Sequence, residues 1–261
     1  MSEEFENFNN ITNNEYETCT NTNKEREARI YTNIDWEGGK ELLDKYSPLE
    51  DSVYLSRLEK MEYWAELAST MYKFNPERFN EEIEITEAIW QELFKEANHR
   101  IEKGHSQLYP EVSIYEILDL PSSLKELDPK RFTENIKITD EDWDKIAEWL
   151  NIKNSNPLMF IGLYKKAHTI DSQKIIERLP IDGRDWEIIR KEIKNSPMHG
   201  WTYILDAQSI KPEEFSDITI SQKEWEHLMD TLESWIANGR CDYLLWEYAN
   251  ALKKEEIKVE N

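Results

Sequence analysis

The 261-residue chain carries 54 Asp and Glu against 32 Lys and Arg, a net charge of -22 with histidine neutral. The acids are spread along its length and no basic stripe interrupts them, which argues against nucleic-acid binding by clustered Lys and Arg and against attraction to anionic membranes. Ten Trp, twelve Tyr and eight Phe exclude disorder by lack of core residues, and no apolar run approaches the length of a membrane span.

Residues 1–34 read as a polar, loosely ordered segment or a decayed repeat. Phe5, Ile11, Thr12, Glu15 and Tyr16 reproduce a linker, cap and staple frame that recurs downstream, with Tyr in place of Trp. The following CTNTNKEREAR is nearly devoid of apolar residues, as expected of a terminal repeat. The acidic start, MSEEFENFNN, lacks the apolar stretch of a secretory leader. The sequon Asn10-Ile11-Thr12 therefore carries no weight, and the setting inferred is cytoplasmic. Cys19 and Cys241 are too few and too distant for a metal pair or a disulfide framework, which agrees with a reducing compartment.

Residues 35–261 read as a single helical-repeat domain. Its first unit opens on a degenerate helix around Trp36 to Tyr46, which holds Gly38 and Gly39, and continues with a clear second helix from Asp51 to Phe74. One frame then recurs four times: Ile85-Thr86-x-x-x-Trp90, Ile138-Thr139-x-x-x-Trp143, Ile181-Asp182-x-x-x-Trp186 and Ile220-Ser221-x-x-x-Trp225. The second position holds a side chain that accepts a hydrogen bond from the free amides of a helix's first turn. The Ile before it and the Trp four residues after it form a hydrophobic staple, and Ser221 with Glu224 completes a capping box. Behind each Trp the apolar residues keep helical spacing, as in Trp90, Leu93, Phe94, Ala97 and Ile101.

A second helix follows in each unit and stops at another recurring signal: Asn75-Pro76-x-x-Phe79, Asp128-Pro129-x-x-Phe132 and Lys211-Pro212-x-x-Phe215. The third copy is degenerate, with Ser172 and Ile175 at the Pro and Phe places, and the chain closes on a second helix from Tyr243 to Ile257. Proline disfavours helix at the preceding residue, so it reads as a terminator. The Trp-to-Trp periods of 53, 43 and 39 residues place the variation in loops and second helices. Such a unit cannot bury its apolar face alone and must stack on neighbours. The fold expected is all-α, a right-handed α-solenoid-like array of about five helix-turn-helix repeats. The units fall near 35–84, 85–137, 138–180, 181–219 and 220–257.

The phrase DPKRFTENIKITDEDWDKIAEWL, Asp128 to Leu150, resembles tandem helical-repeat proteins found in genomes of uncultivated bacteria, which carry a similar Asp-Pro-x-x-Phe…Ile-x-Ile-Thr-x-x-x-Trp unit. The resemblance covers residues 75–257 and implies the fold without implying an activity. The architecture is similar to TPR and HEAT solenoids, but the TPR consensus is missing and the periods are irregular.

Chemistry-bearing motifs are scarce. Glu96 with His99 and Glu224 with His227 have the Glu-x-x-His spacing of di-iron bundles. On a 100° wheel, however, both histidines project about 180–200° from the Trp of their helix, towards solvent. Asp140, Asp142 and Asp144 mimic the start of a calcium loop, but Lys145 and Asn151 occupy the positions that need Gly and Glu; their place at a helix start reads as capping. No nucleophile elbow, phosphate-binding glycine loop or zinc-protease motif is present. No catalytic, cofactor or metal residue is therefore assigned.

Trp149 and Trp235 project about 240–280° from their repeat's Trp, at the edge of the buried stripe. Aromatics on such flanks are candidate contact residues. The function expected is a non-enzymatic scaffold binding a protein or peptide, with a basic partner favoured by the charge. The alternative is an enzyme with a carboxylate-lined pocket inside an α/α array, acting on a small molecule. A buried carboxylate cluster facing a central cavity would favour that second reading, and a smooth groove the first.

Overall fold

The structure, a computed structural model, describes residues 24–50, 57–103, 110–150, 156–195, 200–215 and 219–253. The frame at Phe5 to Tyr16, the sequon at Asn10, Cys19 and the expected helical turn from Lys254 to Ile257 lie outside the described residues. Every regular element among those residues is a helix: residues 24–33 (α1), Trp36–Lys45 (α2), Arg57–Phe74 (α3), Pro76–Glu82 (α4), Glu87–Lys103 (α5), Pro110–Leu127 (α6), Pro129–Asn135 (α7), Asp140–Trp149 (α8), Pro157–Ile170 (α9), Ser172–Arg178 (α10), Gly183–Asn195 (α11), Gly200–Ile210 (α12), Pro212–Phe215 (α13), Gln222–Ala237 (α14) and Tyr243–Lys253 (α15). None of them is long and apolar enough to cross a membrane. Residues 24–33, expected in a loosely ordered or decayed segment, form a helix whose Ile30 is fully buried.

The helix starts follow from local side-chain chemistry. Thr139 with Asp142 and Ser221 with Glu224 form complete capping boxes. Asp182 accepts from the amides of Arg184 and Asp185, and Thr86 from that of Ile89. In all four copies the Trp amide donates to the cap carbonyl, which fixes the indole one turn into the helix: Trp90 to Thr86, Trp143 to Thr139, Trp186 to Asp182 and Trp225 to Ser221. Trp90, Trp143, Trp186 and Trp225 are all buried.

The stretch between second and first helices departs from expectation. It is not a plain link, because α4, α7, α10 and α13 are short helices. Asn75, Asp128 and Asp171 cap the first three, accepting from the amides of Arg78, of Lys130 and Arg131, and of Lys174. Pro76 and Pro129 stand at the first helical position, where a missing N–H costs nothing. The same prolines that end one helix therefore start the next. Each short helix buries one large residue, Phe79, Phe132, Ile175 or Phe215.

The second helices form the centre of the fold. The helix α3 packs along α6, α6 along α9, and α9 along α12, in chain order. The last helix departs from that order, because the main neighbour of α15 is α3. There Trp246, fully buried, meets Trp36 and Phe74 edge to face, and the Asn250 amide donates to the Thr70 carbonyl at 2.8 Å. This contact accounts for the glycine pair in α2. A Cβ at Gly39 would stand 2.9 Å from Met71 Cε and 3.3 Å from Trp246 Cζ2, and one at Gly38 would stand 2.9 Å from Cys241 Sγ. A side chain at Gly38 would also collide with the capping Asp35 carboxylate, and one at Gly39 would press on Met71 and Trp246.

Candidate functional site

The second helices are buried on most of their circumference, so their polar positions stand out. In α3 Glu62, Glu66, Thr70 and Lys73 recur at helical spacing; in α6 Asp119, Ser123 and Glu126 do the same; in α9 Gly162, Lys166 and Thr169 follow. Counted back from the first residue of the next short helix, Glu66, Asp119 and Gly162 share position ten, and Thr70, Ser123, Lys166 and Asp206 share position six. A stripe at this spacing lies on one helix face.

These stripes meet. The Lys166 ammonium lies 2.6 Å from Asp119 Oδ1 and 3.5 Å from Glu66 Oε1, joining α9 to α6 and α3. Lys165 lies 2.8 Å from Asp206 Oδ1 of α12. Lys73 and Glu126 tie α3 to α6 at 2.6 Å. Glu247 of α15 adds its charge to Glu66, Lys165 and Lys166. Five helices thus contribute to one charged cluster. Side-chain exposures of 17% to 30% at Asp119, Asp206, Glu66, Lys165 and Lys166 leave it accessible to water. Beside it, Arg100 of α5 is buried against Glu62 and Glu96.

Burial raises Glu66 to about 7; Lys166 opposes the rise, while Asp119, Glu247 and Glu62 add to it. Burial alone would lower Lys165 and Lys166, but Asp206 and Glu247 for the first and Asp119 and Glu66 for the second hold both above the ordinary lysine value. Tyr243 is pushed up to about 12 by burial and by the charges of Glu66 and Glu247. Its ring lies 5.9 Å from that of Tyr63, which in turn lies 5.0 Å from Tyr46. The cluster therefore combines two ammonium groups, several carboxylates, of which Glu66 is raised by burial, and a tyrosine edge.

The residues singled out in sequence lie elsewhere. His99 and His227 are exposed on α5 and α14. Glu96 is engaged by Arg100, and Glu224 accepts from the Ser221 amide and hydroxyl. Among the described residues no three His, Cys, Asp or Glu side chains converge in a way that could hold a metal ion. Of the calcium-loop mimic, only Asp142 serves in the cap. Asp140 binds Lys174 and Arg178, and Asp144 binds Arg178, so these two acids fasten α10 to α8. Trp149 and Trp235 are half-buried and packed against the core on α8 and α14. The Trp235 ring has Arg240 at 4.0 Å and Tyr248 at 5.4 Å. Cys241 is half-buried and free.

No protein-family model, curated protein or solved structure matches the chain.

Proposed function

We propose that this chain is a non-enzymatic scaffold, a curved right-handed array of about five helix-turn-helix repeats of the kind found in uncultivated bacteria, that binds a protein or peptide in the cytoplasm. The observation that carries this reading is the charge of the whole chain, 54 acids against 32 bases and a net -22, which favours a basic partner and fast, salt-sensitive association. Trp149 and Trp235, half-buried on α8 and α14, are the proposed aromatic contacts.

One observation supports the alternative, an enzyme acting on a small molecule: Glu66, raised to about 7, stands beside Asp119 and Lys166. A carboxyl group held protonated near neutral pH can serve as a general acid. Against it, Lys166 already holds both carboxylates and Lys165 holds Asp206, as in an internal structural network.

The deciding experiment is affinity capture from the native host, followed by binding kinetics with the captured protein. A basic partner that binds the purified chain directly supports the scaffold. Turnover of a small molecule that is lost in Glu66→Gln would establish the enzyme instead.

A further inference from the structure

We propose that α1 is the closing short helix of the last repeat, so that residues 24–33 latch the C-terminal repeat onto the N-terminal side of the first. The proposal rests on the repeat reading but not on any partner.

The short helices share a task that α1 also performs. Each follows a second helix and returns to the first helix of the same repeat, placing a cation over or beside its Trp. The Arg78 guanidinium sits 4.7 Å from the Trp36 ring, Arg131 sits 5.6 Å from Trp90, and Lys211, just before α13, sits 5.7 Å from Trp186. In the third copy Arg178 binds Asp140 and Asp144, which flank Trp143. The repeat made of α14 and α15 needs the same cover for Trp225, and α1 supplies it. Arg26 sits 5.8 Å from the Trp225 ring. Its Nη2 donates to Asp230 at 2.7 Å and to Glu233 at 2.9 Å, across more than two hundred residues of sequence.

Arg26 and the buried Ile30 stand one turn apart, so the cation and the apolar anchor share one face of α1. Like the other short helices, α1 leads into a capped first helix, here through Asp35, which accepts from the Gly38 amide.

The packing requires such a closure. An open array in chain order would seat α15 on α12, leaving α2 and α14 at opposite ends. Here α15 lies along α3, and Tyr31, just after Ile30, is 6.2 Å from Phe74. Phe215 and Gln222 are seven residues apart, a span of at most about 25 Å. The fourth repeat must therefore curve round to the side of the first. Glu247 of α15 adds its charge to Lys165 and Lys166 of α9, which brings the last helix near the third repeat as well.

The test is hydrogen exchange on the full chain, compared between the native sequence and a double variant, Arg26→Ala with Ile30→Asp. A repeat at the edge of a stack frays unless something latches it. In the native protein α2, α14 and α15 should exchange as slowly as α6 and α9. The double variant should speed exchange in α14 and α15 by roughly tenfold or more while leaving α6 and α9 slow. Arg26→Ala alone, which keeps Ile30 packed, should show the same pattern in weaker form and decides the matter if the double variant does not fold. Native α14 and α15 exchanging as a loose end, or no change in α14 when Arg26 is removed, would overturn the latch.

Discussion

Trp246 meets Trp36 edge to face, with ring centroids 5.5 Å apart and planes at 86°, so the last described helix is anchored on the first helix of the first repeat. The same indole packs on Phe74 and donates to the Cys241 carbonyl, and no part of it is exposed. Replacing Trp246 with Ala should cost about 3–5 kcal/mol, the usual range for a large core aromatic. Trp246→Phe, which keeps most of the volume, should cost less. Urea denaturation measures both, and a loss under about 1 kcal/mol for the Ala variant would mean that this contact contributes little.

The stapled tryptophans give a second stability prediction. Trp143 and Trp186 sit four residues past their caps, at 2% and 7% exposure. Either one changed to Ala should lose about 3–5 kcal/mol. The corresponding cap change, Thr139→Ala, should lose only about 1 kcal/mol, since it removes one capping acceptor. Equal losses from Trp143→Ala and Thr139→Ala would place Trp143 outside the stabilising core.

The difference between these residues and the rest of the fold shows what a sequence can reveal. Caps and staples are short-range chemistry, and Thr139, Asp142 and Trp143 announce a helix start within five residues. The short helices were hidden because a proline has two meanings: Pro76 and Pro129 look like terminators until Asn75 and Asp128 are recognised as caps. Gly38 and Gly39 were visible as an oddity, but their neighbours include Cys241 for the first and Trp246 for the second, about two hundred residues away, and periodicity carries no such pairing. The charged cluster was masked by 54 acids. Its signal was nevertheless present as the register shared by Glu66 with Asp119 and by Lys166 with Asp206, on helices rich in buried apolar residues.

Glu66 makes stability depend on pH in a defined direction. Folded, it keeps its proton up to about pH 7, whereas its ordinary value is 4.5. Between those values the folded state holds more protons than the unfolded one, so this contribution is full below about pH 4.5 and is lost as pH rises through 7. At about 1.4 kcal/mol per unit, the full loss is on the order of 3–4 kcal/mol, most of it between pH 5 and pH 8. Glu66→Gln fixes the neutral form and should remove this slope. Urea unfolding of both proteins from pH 5 to pH 8 is the measurement, with the general effect of net charge cancelling in the comparison. Parallel curves would show that Glu66 is ionised throughout.

The last prediction concerns the partner. Long-range charge steers encounter more than it deepens binding, so an acidic scaffold with a basic partner should owe its association rate to electrostatics. Raising ionic strength from about 0.05 to 0.5 M shortens the Debye length from roughly 14 to 4 Å. The on-rate should then fall by tenfold or more, within the range that steering commands, while the off-rate changes less. Trp149→Ala and Trp235→Ala should behave in the opposite way, raising the off-rate with little effect on the on-rate, because short-range contacts act after encounter. Trp235 needs a control, since Arg240 and Tyr248 both lean on its ring. The melting temperature of Trp235→Ala must stay near that of the parent for its off-rate to count. An on-rate indifferent to salt would remove the electrostatic part of the proposal. Unchanged off-rates in both Trp variants would move the contact surface away from the flanks of α8 and α14.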